Sequence, residues 1–342
     1  MPGESSGHEA AQDPTTSTLS RDQPPTEPRP AMESTPWDPE GASIVLDAKG
    51  RVSDGGDTSW SNGLDLKALY KQLVAARSLD MRLTRAGLPM WVSSAGEEAP
   101  LVATALVARD LDWIFPGTRD AAVGLVRGMT YETIAEQLLA TSSSCGPAAL
   151  SSVEHRIATT TDALGMHLAM AAGQAHAQKL AGERAITFAL FGEGTATTGP
   201  FHETTALAVA CDLPLVLVCR SQLWPNGAPA EAGAVGDSVA DRCRALGLWV
   251  RRVDGADPLA VHGALSTAAS RARDGRGPAL IDVVVTQLVH DPPPHRDPIE
   301  RLRRHLDAQG LWTATYQDVI EAEVRGRLDK AFDAHTKTEV PA

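Results

Sequence analysis

The amino-acid sequence predicts an α/β fold with a mainly parallel sheet flanked by helices. The strongest evidence is residues 185–227, where two apolar runs are separated by a turn and a helix-like segment. Apolar runs and helical segments continue to alternate towards the C-terminus, as they do in chains whose parallel strands are joined by helices. The composition, with 43% hydrophobic and 22% charged residues, is typical of a globular protein.

The first strand of this stretch is predicted at residues 185–191 and ends in the turn Gly192-Glu193-Gly194. A helix over residues 202–211 follows, and a second apolar run at 215–219 predicts the next strand. Residues 220–222 are polar and are predicted to form a turn. Parallel strands require a crossover of about a dozen residues, and the spacing here provides one.

Further elements are predicted on both sides of this unit from apolar residues at helical or strand spacing. Helices are predicted at residues 66–81, 99–108, 121–127, 131–139, 165–180, 237–246, from about 259, 299–306 and 319–332, and strands at 111–115, 249–253 and 280–285. Small residues dominate 165–180, which suits the wall of a cofactor cleft or a subunit contact. The arginine-rich run 301–304 is predicted to be a solvated helix face.

Residues 1–60 are predicted to form a disordered N-terminal tail. They are rich in Pro, Ser, Thr, Gly, Glu and Asp, and they show no sustained apolar period. Such a segment buries too little apolar surface to offset the entropy lost on ordering. Only residues 42–46 are expected to pack locally, as an extended piece. The remaining residues, 61–342, are predicted to form one domain.

The formal net charge of −12 argues against nucleic acid or an anionic membrane surface as a partner. No apolar stretch approaches the ~20 residues of a membrane span, and the polar, acidic N-terminus does not resemble a signal peptide. The cysteines form no CxxC pair. Reduced, buried thiols in a cytoplasmic protein are therefore predicted in preference to metal or redox chemistry.

The two predicted strand ends of residues 185–227 indicate a ligand site. Parallel sheets bind their ligands outside the carboxyl ends of the strands. Glu193 and Gln222 each follow one of these ends, so both oxygen-bearing side chains are expected in one crevice. Arg119 follows a Pro-Gly turn, where a guanidinium can reach an anionic ligand as a fork; the alternative is a surface arginine paired with Asp120.

Several local motifs occur in a fixed order along the chain. They are residues 95–99 (AGEEA), 114–120 (IFPGTRD), 165–173 (GMHLAMAAG), 192–203 (GEGTATTGPFHE), 253–258 (VDGADP) and 297–299 (DPI). From about residue 66 onwards, the chain resembles the α subunits of the thiamine-diphosphate-dependent 2-oxo acid dehydrogenases. These are the decarboxylating first components of the pyruvate and branched-chain 2-oxo acid complexes, and the resemblance implies a thiamine-diphosphate-binding fold.

The resemblance implies roles for residues around the cofactor. Thr118, in place of the usual tyrosine, and Arg119 are expected beside the diphosphate. Leu164 and Gly165 are expected near the pyrimidine ring. Gly194 is expected close to the phosphates, since glycine allows close approach of the backbone; it is equally compatible with a plain turn.

The resemblance also implies Mg²⁺, held by Glu193, Gln222 and the backbone carbonyl of Trp224. Glu193 and Gln222 replace an aspartate and an asparagine, and each is one methylene longer. Because Mg²⁺ requires near-octahedral geometry at about 2.0–2.1 Å, either the ion shifts or the longer ligands fold back. The alternatives are a solvated turn carboxylate for Glu193 and an ordinary loop residue for Gln222.

The loop that carries histidines in the family is short here, and runs from His290 to His295. His290 is the candidate catalytic residue, as a proton donor or substrate contact near neutral pH. The alternatives are that His295 takes this role or that His290 is an exposed loop histidine.

The function implied by the resemblance is decarboxylation of a small 2-oxo acid and transfer of the acyl group to a lipoyl-bearing acyltransferase. The partner implied is a transketolase-like β subunit, in an αβ or α₂β₂ assembly. Two alternatives stay open because the motifs diverge. One is a catalytically lapsed homologue with a structural or regulatory role, and the other is a thiamine-diphosphate enzyme of specialised metabolism.

Overall fold

In the part of the chain that the structure describes, five parallel strands form a sheet at the centre of the fold. The structure is a computed structural model, and it describes residues 42–53, 63–88, 91–142, 149–222, 238–288 and 294–336. The strands are β1 (Trp113–Phe115), β2 (Thr187–Gly192), β3 (Leu215–Gln222), β4 (Trp249–Asp254) and β5 (Ala279–Val285). Their order is β1-β2-β3-β5-β4, and every neighbouring pair is parallel. The predicted fold class is confirmed.

Helices cover both faces of this sheet. They are α1 (Leu66–Ala86), α2 (Glu98–Val107), α3 (Ala121–Val126), α4 (Tyr131–Ser142), α5 (Met166–Leu180), α6 (Gly199–Ala210), α7 (Val239–Ala245), α8 (Pro258–Arg273), α9 (Pro298–Ala308) and α10 (Ala314–Thr336). Short 3-10 helices occupy Glu193–Thr197 and Pro294–Arg296. The predicted elements are all present, with ends that differ by a few residues.

Side chains of β3 alternate between two hydrophobic clusters, as expected for a strand buried on both faces. Val216 and Val218 join the cluster that includes α1, α2 and α8. Leu215, Leu217 and Cys219 join the cluster that includes α5, α6 and α7. The same alternation places Arg220 and Gln222 on the face covered by α2.

The predicted turn at residues 220–222 is wrong, because β3 continues through them. Arg220, Ser221 and Gln222 pair with Val283, Val284 and Val285 of β5. Polar residues normally end a buried strand, but Arg220 is only 3% exposed and its charge is matched by buried carboxylates. The extension carries Gln222 to the carboxyl edge of the sheet.

The segment 42–53 packs onto the domain, although it falls within the predicted tail. Ser43 forms a parallel bridge to Val253 of β4. The backbone N–H groups of Val45 and Leu46 each donate to Oδ2 of Asp257 at 2.6 Å. The expected local packing of residues 42–46 agrees with this arrangement. Residues 1–41 and 54–62 lie outside the described residues, so the tail and its boundary stay predictions.

The predicted solvated face at residues 301–304 is wrong for Arg301. Arg301 is 3% exposed, and its Nη1 donates to Oδ2 of Asp254 at 2.6 Å. Helical spacing places it on the same buried side of α9 as Leu302 and His305. Only the neighbouring arginines of the run, 303 and 304, lie on the more accessible side, where both pair with Glu300.

We expect Asp257→Asn to lower the free energy of unfolding by roughly 2–4 kcal/mol. Asp257 is fully buried and its two oxygens accept four backbone N–H groups, two from the start of α8 and two from Val45 and Leu46. An asparagine amide would turn its NH₂ group towards one of these donor pairs. Urea denaturation monitored by circular dichroism measures the loss.

The matched control is Asp65→Asn at the exposed start of α1, where Asp65 caps two N–H groups. Asparagine caps helices as well as aspartate does, so this control should change stability by less than about 0.5 kcal/mol. Equal effects of the two substitutions would contradict the assignment of Asp257 as a buried acceptor of four backbone N–H groups.

Candidate active site at the carboxyl edge of the sheet

A cavity of about 240 Å³ opens at the carboxyl ends of β1, β2 and β3. Its floor includes Phe191 of β2, and its wall includes His167 of α5 and Arg220 of β3. The other lining residues are Gly117, Thr118, Arg119, Thr161, Asp162, Ala163, Leu164, Gly165, Gly192, Gly194 and Thr195. The cavity therefore lies at the edge where parallel sheets bind ligands.

All five residues predicted beside the cofactor's diphosphate and pyrimidine ring line this cavity: Thr118, Arg119, Leu164, Gly165 and Gly194. A Cβ built on Gly194 or on the adjacent Gly192 would meet no described atom within 4 Å. The wall formed by these glycines is therefore bare backbone, with space in front of it. Gly165 has a φ of +86°, and a Cβ there would lie 2.7 Å from Oγ1 of Thr198. Glycine is required at this turn into α5.

The structure brings the two predicted metal ligands together. The backbone N–H of Gln222 donates to Oε2 of Glu193 at 2.7 Å. Glu193 lies between Gly192 and Gly194, which line the cavity, and Gln222 ends the adjacent strand. Burial raises the pKa of Glu193 and outweighs the hydrogen bond from Gln222, which lowers it; the nearby carboxylates of Asp282 and Glu97 add smaller increases. A cation would relieve this unfavourable environment.

Glu97 connects these ligands to the arginines of the cavity, and the sequence analysis did not identify it. Its Oε1 accepts a hydrogen bond from Nε2 of Gln222 at 2.7 Å and lies 3.2 Å from Nη2 of Arg119. Its Oε2 lies 3.0 Å from Nη1 of Arg220. Glu97 directly precedes α2, and its side chain is completely buried. In the sequence, Glu97 is marked by its place in the AGEEA motif, but the motif does not show which groups its side chain contacts.

The backbone before Glu97 is fixed by a close contact. Gly96 has a φ of +95°, and a Cβ there would lie 2.0 Å from the carbonyl oxygen of Thr286. Only glycine fits against the end of β5 at this position. The backbone N–H of Leu288 donates to the carbonyl of Ala95 at 2.9 Å, which ties the same turn to the sheet. Glu97 therefore emerges directly over the carboxyl edge.

Arg220 is the second site residue that the sequence analysis missed. It forms a close ion pair with Asp120, whose Oδ2 also accepts the backbone N–H of Gly117 at 2.6 Å. Burial lowers the pKa of Arg220, but Asp120 and Glu97 outweigh this effect and raise it overall. Arg220 is therefore a permanent positive charge on the cavity wall.

Arg119 is held by contacts other than the alternative pair with Asp120. Its Nη1 donates to the carbonyl oxygen of Ser93 at 3.3 Å, and its Nη2 faces Glu97. Asp120 is engaged with Arg220 instead. The side chain of Arg119 is 23% exposed, so part of the guanidinium remains accessible from the cavity. The two arginines thus present two positive charges to one space.

His167 is a neutral histidine on the cavity wall. Its Nε2 lies 2.9 Å from the carbonyl oxygen of Leu190, which can only accept, so Nε2 carries the proton. Burial lowers the pKa of His167 and outweighs the hydrogen bond to Leu190 and the charge of Asp120, which raise it; Arg220 adds a smaller lowering effect. The side chain is 6% exposed.

Two predicted site residues, Trp224 and His290, lie outside the described residues, and so does most of the loop from His290 to His295. Within the described ranges, no three His, Cys, Asp or Glu side chains converge as a metal-binding cluster. The magnesium ligands that the resemblance implies, Glu193, Gln222 and the carbonyl of Trp224, stay a prediction.

Comparison with protein families shows the family of this chain. Residues 74–290 match the family model described as dehydrogenase E1 component, which is more than half of the chain. The chain belongs to the dehydrogenase E1 component family. The predicted resemblance to 2-oxo acid dehydrogenase α subunits is thereby confirmed.

Individual relatives agree with the family assignment. The 3-methyl-2-oxobutanoate dehydrogenase subunit alpha of Mycobacterium tuberculosis is 31% identical over 301 residues, covering 79% of this chain and 79% of that protein. The pyruvate dehydrogenase E1 component subunit alpha of Bacillus cereus is 28% identical over 310 residues, covering 84% and 82%. The 2-oxoisovalerate dehydrogenase subunit alpha of Bacillus subtilis is 27% identical over 292 residues, covering 78% and 88%.

Membership makes the chain a component of a thiamine-dependent oxidoreductase, and it implies thiamine diphosphate as cofactor and a β subunit as partner. None of the helices in the described ranges has the length and apolarity needed to cross a bilayer.

We expect His167→Gln to reduce the amount by which the free energy of unfolding falls between pH 7.5 and 5.5. Folding lowers the pKa of His167 below its ordinary value of 6.5. The neutral side chain therefore contributes its full stabilisation at pH values above about 6.5. This contribution is lost as the pH falls from about 6.5 towards the folded pKa, by on the order of 1 kcal/mol. Urea denaturation at pH 7.5 and 5.5 measures it.

The control for this measurement is Leu168→Ala, at the fully buried neighbour on α5. It should destabilise the protein at both pH values and leave the pH dependence as in the wild type. If His167→Gln retains the full difference between pH 7.5 and 5.5, the assignment of a neutral, buried His167 is wrong.

Proposed function

We propose that this chain binds thiamine diphosphate with Mg²⁺ at the cavity and acts as the α subunit of a 2-oxo acid decarboxylating component. The acyl group produced passes to a lipoyl-bearing acyltransferase. The observation that carries the proposal is the continuous set of contacts Glu193–Gln222–Glu97–Arg119 beside the cavity. It joins both proposed metal ligands to an arginine suited to a diphosphate.

The residues present fit both groups. Oε1 of Gln222 is buried and has no hydrogen-bond partner among the described residues. A divalent cation would satisfy this oxygen together with the carboxylate of Glu193, because both are hard oxygen ligands. The carbonyl of Trp224 is the proposed third ligand. Arg119 and Arg220 face the same cavity, where they suit the diphosphate.

Thiamine diphosphate supplies an electron sink for the charge that decarboxylation leaves on the former carbonyl carbon. The residues of this chain bind and orient it. Arg119 and Arg220 hold the anionic end, and the bare backbone at Gly192 and Gly194 allows close approach. Thr118 contributes a hydroxyl where the family usually has a tyrosine. His290 remains the proposed proton donor or substrate contact.

A partner chain is proposed to complete the site. Ligand pockets usually occupy about 300–1,000 Å³, so the cavity formed by the described residues is small for the entire cofactor. Leu164 lines the cavity, and further large apolar side chains are exposed on α5, α6 and the loop before α5. These exposed residues, named here the apolar surface, are Leu164, Met166, Met170, Leu180 and Leu207. We propose that a transketolase-like β subunit covers this surface, in an αβ or α₂β₂ assembly.

Calorimetric titration of thiamine diphosphate and Mg²⁺ tests the cofactor proposal, with the full chain and a candidate β chain present. Saturable, Mg²⁺-dependent binding is the expected result. Absence of saturable binding would favour a catalytically lapsed homologue, for which the replaced ligands and Thr118 are the supporting observations. Binding without acyl transfer to a lipoyl acceptor would favour an enzyme of specialised metabolism.

Glu193→Ala should abolish the Mg²⁺ dependence of cofactor binding and weaken binding by about 10–100-fold, because it removes the only carboxylate of the proposed ligand set. The same calorimetric titration measures this. Glu183→Ala is the control, since Glu183 is exposed and precedes the opposite end of β2. Unchanged affinity in Glu193→Ala would show that Glu193 is not a metal ligand.

Met170→Glu should weaken association with the β chain by about tenfold or more, because it places a charge among the residues of the apolar surface. Sedimentation velocity over a concentration series measures the dissociation constant. Val319→Glu is the matched control, on the exposed side of α10 and outside this surface. Equal association of the two variants would place the β chain elsewhere.

A further inference from the structure

We infer that Glu97 is a positioning residue that fixes the side-chain amide of Gln222 in one of its two orientations. In this orientation, the amide oxygen is presented to the cation. The inference rests on the proposed function, because it concerns the ligands of the proposed magnesium site. Glu97 itself is not one of the proposed metal ligands.

The direction of the amide follows from the chemistry of its partner. Oε1 of Glu97 lies 2.7 Å from Nε2 of Gln222. An ionised carboxylate accepts hydrogen bonds and donates none, so the NH₂ group of Gln222 must face Glu97. The oxygen of the same amide then points the other way. There it is buried and lacks a partner within the described residues.

The orientation matters because the two ends of an amide have nearly the same shape and opposite polarity. An unrestrained glutamine amide can rotate by half a turn and direct its NH₂ group at the cation site. The partial positive charge of the NH₂ group would then repel the cation. The backbone N–H of Gln222 meanwhile holds Oε2 of Glu193 at 2.7 Å. Residue 222 therefore aligns one proposed ligand through its backbone and supplies another through its side chain.

Glu97 is rigid enough to impose this direction. Its two oxygens lie 3.2 Å from Arg119 and 3.0 Å from Arg220, and its side chain is completely buried. The preceding Gly96 is pressed against the carbonyl of Thr286. Groups that hold metal ligands in position typically contribute about 10–100-fold to metal affinity.

The test measures Mg²⁺ affinity by calorimetry, at saturating thiamine diphosphate, with the full chain and a candidate β chain present. Glu97→Gln and Glu97→Asp should each lower Mg²⁺ affinity by about tenfold. Glutamine can accept or donate, so it no longer selects the amide direction. Aspartate keeps the negative charge beside Arg220 but is too short to retain the contact with Gln222.

A double-mutant cycle separates this role from a general loss of charge or structure. In a Gln222→Asn background the shorter amide has already lost the contact. There, Glu97→Asp, which keeps the negative charge, should change Mg²⁺ affinity by no more than about twofold. Additive effects across the cycle would overturn the inference, and so would wild-type Mg²⁺ affinity in Glu97→Asp.

The outcomes also distinguish this inference from the function on which it rests. If the wild-type chain shows no saturable Mg²⁺ binding, the proposed function fails and the inference fails with it. If the wild type binds Mg²⁺ and the Glu97 variants bind equally well, only the inference fails. Thermal unfolding followed by circular dichroism shows whether each variant is folded. If Glu97→Gln is not folded, the Mg²⁺ affinity of Glu97→Asp decides the test.

Discussion

The candidate site depends on a buried and electrically balanced set of charges at the carboxyl edge of the sheet. Glu97 and Asp120 supply two negative charges, and Arg119 and Arg220 supply two positive charges. Removing one partner of a buried ion pair leaves the other charge unpaired in the interior, and this costs about 3–5 kcal/mol. The four side chains therefore hold one another in place.

This arrangement explains why the edge can be polar without loosening the sheet. β3 continues as regular strand through Arg220 and Gln222, because its side chains meet acceptors provided by distant elements. Asp120 reaches it from the turn before α3, and Glu97 from the turn before α2. Each of these turns is shaped by a glycine, at positions 117 and 96, that approaches another group closely. Backbone geometry and charge pairing thus cooperate to form the cavity wall.

Much of the fold and part of the site could be predicted from the sequence. The strand and helix pattern is local, and the topology of a parallel sheet brings Glu193 and Gln222 to one edge without further information. Motif resemblance located Thr118, Arg119 and Gly165. Arg220 and Glu97 could not be found in this way, because their roles arise from contacts between residues about a hundred positions apart. The same limit explains Arg301, which a charge pattern alone places in solvent but which pairs with buried Asp254.

The balance of charges also restricts how such a site can diverge over time. A single replacement of Glu97 removes the negative charge that Arg119 and Arg220 share, and this is expected to lower the stability of the fold. A second change that restores the balance of charge should recover part of that stability. Residues at this edge are therefore expected to drift in pairs, whereas Thr118, which carries no charge, is free to vary alone.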